Sequence, residues 1–319
     1  MDVRRGGVVR PADVLTVSPQ VWRPPATATT LRDACASHPS ASTPSRPAVH
    51  PGDGPVGAGD AGTSPGAGVR TLVRGVYLDS AVDPSLAQRL SAYLSVLPPD
   101  TAVDGVTALW VWGIEVGQLT PYRFVTTAAY QSKRTAVRVR RVTDLPELRG
   151  AVVAPAPALV AAKSELGLLE LVVAGDWLVR TGRATLPQVR AGLSAATGAH
   201  CQRARRAGTL VRAGAESPRE SQLRLVIVLA GLPEPEANVD LGDEWFFIGR
   251  VDLYLRAWNI AVEYGGDHHR TDAHVFGRDL ERYERLAASG VLVVRVSKSH
   301  LRRPRQVVQR IYAALRSRG

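Results

Sequence analysis

The sequence is poor in cysteine and in long apolar runs. It has two cysteines among 319 residues, Cys35 and Cys201, which lie far apart and without metal-ligand spacing. This pattern favours neither a disulfide framework nor a zinc site. The most apolar run, Leu166 to Val179, is too short to cross a bilayer and carries two acids. The chain also begins without an apolar signal segment. The sequence therefore predicts a cytoplasmic protein with no membrane partner.

Lysine is scarce as well, although the chain is basic. Only Lys133, Lys163 and Lys298 are lysines among the 40 basic residues, and 29 acids leave a formal net charge of +11. A positive balance favours an anionic partner, with nucleic acid the first candidate and a membrane surface the second. Arginine suits phosphate because its planar fork donates two hydrogen bonds at once. Codon bias also produces this composition, so charge alone does not establish DNA as the partner.

Composition divides the chain into three parts. Residues 1–68 are rich in Pro, Ser, Ala, Thr and Gly and contain one aromatic residue, Trp22. Such a segment buries too little apolar area to offset its ordering entropy, which predicts a disordered or degenerate N-terminal segment. Residues 69–199 are predicted to form an α+β middle domain, and residues 200–319 a separate domain. The length of the chain agrees with roughly two domains.

In the middle region, residues 69–199, the pattern predicts strands and helices in alternation. Strands are expected at Val69–Leu78, Tyr122–Thr127 and Ala136–Arg141, and helices after Asp83-Pro84, at Ala158–Thr181 and at Leu186–Ala196, the last capped by Thr185. The third strand carries a basic edge that could hold phosphate or could be a charged, solvated edge that discourages aggregation. Its residues are Arg134, Arg138, Arg140 and Arg141.

The pattern of the C-terminal region, residues 200–319, predicts helices and strands in the order α-β-β-β-α-β-α. Ser217-Pro218-Arg219-Glu220 is a strong helix start, with Ser217 as the cap and Glu220 closing a capping box. The apolar strand Val291–Val296 is predicted to be central in the sheet. The preceding helix, Asp272–Ser289, is predicted to face the core with Phe276, Leu280, Tyr283 and Ala287. The last helix is expected at Arg303–Arg318.

Two acids stand out on the second and third strands of this region. Val251–Leu255 and Ile260–Tyr264 both alternate, and an antiparallel hairpin turning at Ala257-Trp258 sets Asp252 directly across from Glu263. Like charges that face each other destabilise a sheet. A divalent cation with oxygen ligands, such as Mg²⁺, would make the pair tolerable. The alternative is that both acids are solvated on an edge hairpin.

The order of motifs resembles the PD-(D/E)xK nuclease core, and more narrowly the DUF559 domain, which is similar to very short patch repair endonucleases. The matching motifs are Ser217-Pro218-x-Glu220-x3-Arg224, Gly231-Leu232-Pro233-x-Pro235-Glu236, Gly249-Arg250-Val251-Asp252-Leu253, Glu263-Tyr264-x-Gly266-x2-His269-Arg270, Asp279-x2-Arg282 and Arg295-Val296. The resemblance implies an α/β fold with a restriction-endonuclease-like αβββαβα core. Arg74-Gly75-Val76-Tyr77 and Ala108-x2-Val111-Trp112-Gly113 in the middle region resemble the AbiEi-like antitoxin and regulator family.

The resemblance implies a metal site in the C-terminal region. Asp252 and Glu263 would bind Mg²⁺ or Mn²⁺, Glu220 could reach the same ion, and the ion would activate a water for attack on phosphate. His269 could be a general base or an ordinary exposed histidine. Asp279 and Arg282 could bracket the site or form a solvated helix pair. Candidates for DNA phosphate contact are Arg250, Arg270, Arg282, Arg302, Arg303 and Arg305.

One departure from the family pattern affects the chemistry. The nuclease pattern has Lys, and DUF559 has an acid, two residues after the Glu, whereas this chain has Gly265. Either Asp267 substitutes or the site is weakened or dead. Two hypotheses follow: a metal-dependent DNA endonuclease, and a non-catalytic DNA-binding regulator or type IV antitoxin-like protein. The sequence does not identify a toxin, antitoxin or repair partner.

Overall fold

The computed structural model describes residues 69–73, 76–79, 81, 83–242, 246–265 and 273–319. The side chains of residues 69–70, 77–79 and 273–279 are outside this description, and so is the predicted N-terminal segment, 1–68. Within these limits the chain is a mixed α/β protein with two mixed sheets and a separate hairpin. None of the helices in the described ranges combines the length and the hydropathy needed to span a bilayer.

The elements up to residue 210 run in the following order. They are β1 (Val69–Val73), β2 (Val76–Asp79), α1 (Leu86–Leu94), β3 (Ala102–Val103), α2 (Gly105–Val111), β4 (Tyr122–Thr126), β5 (Val137–Arg141), β6 (Leu148–Arg149), β7 (Val152–Val153), α3 (Pro155–Ala161), a 3₁₀ turn (Ala162–Ser164), α4 (Leu168–Arg180), α5 (Leu186–Ser194) and α6 (Cys201–Leu210). Strands β1 and β2 form an antiparallel hairpin, so the predicted strand 69–78 folds back on itself.

A five-stranded sheet in the order β5-β4-β3-β7-β6 forms the centre of the middle region. The strands predicted at 122–127 and 136–141 are confirmed as β4 and β5, and they pair in parallel, with Tyr122 beside Val137. The predicted helix 158–181 is broken. Helix α4 begins only after Gly167, whose N–H donates to the Glu170 carboxylate at 2.8 Å. Thr185 caps α5 as predicted, since its hydroxyl accepts from the Gln188 N–H.

Helix α6 was not predicted from the sequence, and it packs with the middle region. Its Ala204 and Ala207, and the following Val211, are fully buried in the same apolar cluster as the β3–β4 strands. The helix is hard to recognise because four of its residues are Arg or Gln and its apolar face consists of small side chains. The first core of the chain therefore extends beyond residue 199, where the sequence suggested a domain boundary.

The remaining elements follow the predicted order, with one short helix added before the last. They are α7 (Pro218–Leu229), β8 (Glu236–Gly242), β9 (Phe247–Leu255), a 3₁₀ turn (Arg256–Trp258), β10 (Ile260–Gly265), α8 (Ala273–Ala288), β11 (Leu292–Ser297), α9 (Lys298–Leu301) and α10 (Pro304–Arg316). Their sheet has the order β11-β10-β9-β8. Among the described strands β11 is therefore at an edge, and the prediction of a central strand is wrong.

Helices cover both faces of this sheet, which explains why an edge strand is so apolar. Residues of α7 and α10 pack on one face in a cluster with Leu253 and Val262. A second, smaller cluster holds Val251, Tyr254, Ala261 and Leu286 of α8. Val251 and Leu253 are both fully buried, as the alternation of the strand predicts. Both sides of β9 are apolar, whereas the sequence suggested one apolar and one acidic face.

The side of α8 that packs against the sheet also differs from the predicted one. Leu280 is 52% exposed and Ala287 is exposed, whereas Leu286 is fully buried. Tyr283 is half-buried and is the predicted inward residue that the structure brings toward the sheet. The side chain of Phe276 is outside the described residues. The error arises because the helix also carries a polar contact to the sheet, described below, which an apolar pattern does not detect.

A buried polar cluster joins α4 to α7. Arg224, 2% exposed, donates to the Asp176 carboxylate at 2.9 Å, and the Ser221 hydroxyl donates to the same oxygen at 2.8 Å. The other Asp176 oxygen accepts from the Arg212 N–H at 2.8 Å. Burial raises the pKa of Asp176, with Arg224 acting in the opposite direction. These contacts fix the first helix of the C-terminal sheet region against the first core.

Candidate functional site

The hairpin register at the two acids agrees with the prediction. Leu255 pairs with Ile260, Tyr254 with Ala261 and Leu253 with Val262. One further step along both strands places Asp252 opposite Glu263. At that step the Asp252 carboxylate accepts a hydrogen bond from the Tyr264 backbone N–H at 2.7 Å. The hairpin thus brings the two predicted carboxylates to adjacent strands, and the second half of α8 contacts Glu263.

Glu263 is buried and fully engaged by α8. It is 5% exposed. Arg282 donates to both of its oxygens, at 2.8 and 2.9 Å, and the Tyr283 hydroxyl donates to Oε2 at 2.6 Å. Arg282 also donates to the backbone oxygen of Arg250 at 2.9 Å. A two-pronged pair of this kind is among the stronger polar contacts in proteins.

The surroundings hold Arg282 in this position. Its guanidinium lies 4.8 Å from the centre of the Tyr283 ring, and Arg295 lies at the same distance from that ring. The aliphatic part of Arg282 packs on Gly249, where an added Cβ would lie 3.0 Å from Cδ. Burial lowers the pKa of Arg282, but bonding to Glu263 outweighs it and the net shift is upward. Burial and the Glu263 bond raise the pKa of Tyr283 to about 12. Both donors therefore keep their protons at neutral pH.

Asp252 has a different environment from Glu263. Burial raises its pKa to about 6, against the lowering effect of the Tyr264 N–H, and the charges of Glu220 and Glu263 raise it further. The positive charge of Arg282 lowers the pKa of Asp252, and this is the smallest of these effects. A half-buried carboxyl with a raised pKa near two other acids is a recurrent feature of functional sites, although structural networks produce it too.

The Glu220 carboxylate accepts a backbone hydrogen bond just before the start of α7. Its Oε2 accepts from the Glu216 N–H and from the Asn238 side chain, both at 2.8 Å. The predicted capping box is half right. The Ser217 hydroxyl accepts from the Glu220 N–H, but Glu220 bonds to Glu216 rather than to the Ser217 N–H. Asn238 adopts a left-handed backbone, φ +53°, which favours Asn over most other residues.

The described carboxylates do not fit a divalent cation in this arrangement. Both Glu263 oxygens are bonded to a guanidinium, which is itself a fixed positive charge. The described residues contain no group of three His, Cys, Asp or Glu side chains that could hold a metal ion. Among the described residues, a Cβ added at Gly265 would meet Arg295 alone, at 3.6 Å, and the glycine itself supplies no ligand. Asp267, His269, Arg270 and the side chain of Asp279 lie outside the described residues.

The predicted phosphate contacts fall into two groups. Arg250 is neutralised, because it bonds to both oxygens of Asp240 at 2.7 and 2.9 Å and to Glu216 at 3.0 Å. The basic residues near the last helix are exposed and form no ion pair within the described chain. These are Arg302, Arg303 and Arg305. Their availability separates them from Arg250 and Arg282.

Helix α10 also presents an aromatic residue that the sequence analysis missed. Tyr312 is 54% exposed. Helical spacing aligns it with Arg305, Gln309 and Arg316, all exposed, in one stripe about 16 Å long. No acid occurs from residue 298 to 319. A pattern of i, i+4, i+7 and i+11 in the sequence was sufficient to find this stripe.

The chain was compared with protein-family models, curated proteins and solved structures, and none of them matches it. The geometry of the chain itself therefore carries the functional argument.

Proposed function

We propose that the C-terminal region is a restriction-endonuclease-like domain that binds DNA through its last helix and does not cut it. The observation that carries the second half of this proposal is the pairing of Glu263 with Arg282 and Tyr283. A cation could bind Glu263 only after Arg282 had moved away. The domain would then resemble a nuclease in fold but use the acidic centre as a structural contact.

The first half of the proposal rests on the α10 stripe defined above. Exposed arginines without acidic partners bind phosphate because they release counterions from the DNA backbone. An exposed tyrosine between them can stack on a base or pack against a sugar. The stripe contains two arginines and one tyrosine, and Arg302 and Arg303 precede it in the chain. This combination favours a nucleic-acid partner over a membrane surface, since the stripe offers no large apolar residue other than Tyr312.

Fluorescence anisotropy with a labelled 20-base-pair duplex in EDTA tests DNA binding. Arg305→Gln with Arg316→Gln should weaken binding about tenfold or more at 100 mM salt and should reduce the salt slope by about two. Arg256→Gln is the matched control, because Arg256 is exposed but already bonded to both oxygens of Glu236. Equal affinity and equal salt slope for all three proteins would overturn the proposal.

A metal-dependent DNA endonuclease is the second candidate. It is favoured by the facing register of Asp252 and Glu263 and by the raised pKa of Asp252. Mg²⁺ or Mn²⁺ would be its cofactor. Nicking of supercoiled plasmid separates the candidates: nicking by the natural protein that Glu263→Gln abolishes would establish the endonuclease. No metal-dependent nicking above the Glu263→Gln background is the expected result.

Gly265→Asp makes the cleavage test sharper. It introduces an acid two residues after Glu263, and the one described atom within 4 Å of the new Cβ, in Arg295, lies at an ordinary contact distance of 3.6 Å. If this glycine alone prevents cutting, the variant should nick plasmid in Mn²⁺. If the Arg282 pair also prevents it, only Gly265→Asp combined with Arg282→Ala should do so. Both results are consistent with a natural protein that does not cut.

A further inference from the structure

A wide groove lies in the middle region, away from the two carboxylates. It has a volume of about 820 Å³ and is bounded by β6, α3, the 3₁₀ turn and α5. Four cations line it, namely Arg140, Arg149, Lys163 and Arg183, against a single acid, Glu147. This volume falls in the usual range for small-molecule sites.

The four cations come from four different elements. Arg140 belongs to β5, Arg149 to β6, Lys163 to the 3₁₀ turn, and Arg183 to the connection between α4 and α5. Arg140 shares its charge with Asp104, at 2.8 Å. For the other three, the described residues supply no carboxylate partner, and Arg149 rests 5.9 Å above the ring of Trp112. Three positive charges that form no ion pair within the described residues therefore line one concavity, beside a single acid.

Convergence of like charges costs free energy in the free protein, and a concave wall concentrates their field. The arrangement becomes favourable when an anion binds between them. The rest of the wall is formed by small residues, among them Ala156, Gly192 and Ala195, which let a ligand approach the backbone closely. Arginine and lysine together suit phosphate oxygens, arginine through two parallel bonds and lysine as a compact charge.

We propose that this groove binds a phosphate-bearing ligand of nucleotide size. The ligand is either a free nucleotide or one segment of a nucleic-acid strand, since both carry the same phosphate chemistry. The proposal is independent of the α10 stripe, because the groove lies among the elements of the first core and shares none of the residues assigned to DNA binding above.

The test uses the full chain with Arg305→Gln and Arg316→Gln as its background, so that the α10 stripe does not contribute. The groove variant adds Arg149→Gln, Lys163→Gln and Arg183→Gln. The control adds Arg89→Gln, which replaces a half-buried arginine of α1 that bonds to Asp83 at 3.0 Å. Two probes are used at 50 mM salt. Calorimetry measures the binding of ADP, and fluorescence anisotropy measures the binding of a labelled 12-nucleotide single strand.

We expect at least one probe to bind the background and control proteins and to bind the groove variant at least tenfold more weakly. Loss of ADP binding identifies a nucleotide site, and loss of the strand alone identifies a nucleic-acid segment. The proposal is overturned if neither probe binds, or if the groove variant binds them as tightly as the control.

Discussion

Replacing Asp252 by Asn should stabilise the protein at neutral pH. Burial raises the pKa of the Asp252 carboxyl from 3.8 to about 6. A carboxyl whose pKa is raised on folding contributes most to stability below pH 3.8, and that contribution is lost as the pH rises through 6. Above pH 7 the charged Asp252 carboxylate therefore lowers the free energy of unfolding. Asparagine has no such charge, and its side-chain oxygen can still accept from the Tyr264 N–H.

The size of the effect follows from the two pKa values. The interval between 3.8 and about 6 corresponds to about 3 kcal/mol. Asp252→Asn should thus raise the free energy of unfolding by about 3 kcal/mol at pH 7 and above, and by less than about 1 kcal/mol at pH 4. The neighbouring strand offers a control in Asp240→Asn. Asp240 is exposed and its pKa is lowered by bonding to Arg250, so its pH trend has the opposite sign.

Urea unfolding in EDTA, at pH 4, 5.5, 7 and 8, measures the free-energy difference, with tryptophan fluorescence as the signal. Amide hydrogen exchange of peptides from β9 and β10 shows whether the gain is local to the hairpin. A gain that does not depend on pH, or Asp252→Asn being less stable than the natural protein at pH 8, would refute the assignment of a strained charge to Asp252.

Three further outcomes can be measured by the same urea unfolding. Glu263→Gln should cost about 2–4 kcal/mol, because Arg282 keeps its half-buried charge without a partner; a loss below about 0.5 kcal/mol would show that the pair is not formed. Arg224→Met should cost about 3–5 kcal/mol, and adding Asp176→Leu should recover part of that loss, because it removes the unpaired carboxylate although the Arg212 N–H and the Ser221 hydroxyl lose their acceptor; additive losses would contradict this. Gly175→Ala should cost about 1–3 kcal/mol, because the new Cβ would lie 2.7 Å from Val211. Gly192→Ala, whose Cβ would lie 3.3 Å from Val160, should be close to neutral, and equal effects would rule out the clash.

The strand pattern of the C-terminal region was predictable because its alternation, its turn and its helix stops are all local signals. The register that sets Asp252 opposite Glu263 follows from counting residues around the turn, and the structure keeps it from Leu255 to Leu253. Helix ends at Gly231 and Gly290 were equally accessible, since both glycines adopt left-handed φ values. Neither feature depends on a distant part of the chain.

The position of β11 and the partners of the acids were not predictable in the same way. An apolar strand is typical of the centre of a sheet, but covering both faces of an edge strand with helices gives the same pattern. Arg282 was recognised as part of a motif with Asp279, and the sequence gave no means to choose between a phosphate and Glu263 as its partner. Only the distance between α8 and β10, set by packing, decides that choice.

The pairing of Glu263 with Arg282 changes what the facing acids imply. In the sequence, two facing carboxylates left two interpretations open: a metal ion between them, or two solvated acids on an edge hairpin. In the structure, an arginine of the same chain supplies that charge for one carboxylate, and burial with a raised pKa accounts for the other. A protein that needed a cation at this point would gain nothing from a guanidinium bonded to both oxygens. The structure therefore makes the acidic pair a weaker argument for cleavage than it is in the sequence alone.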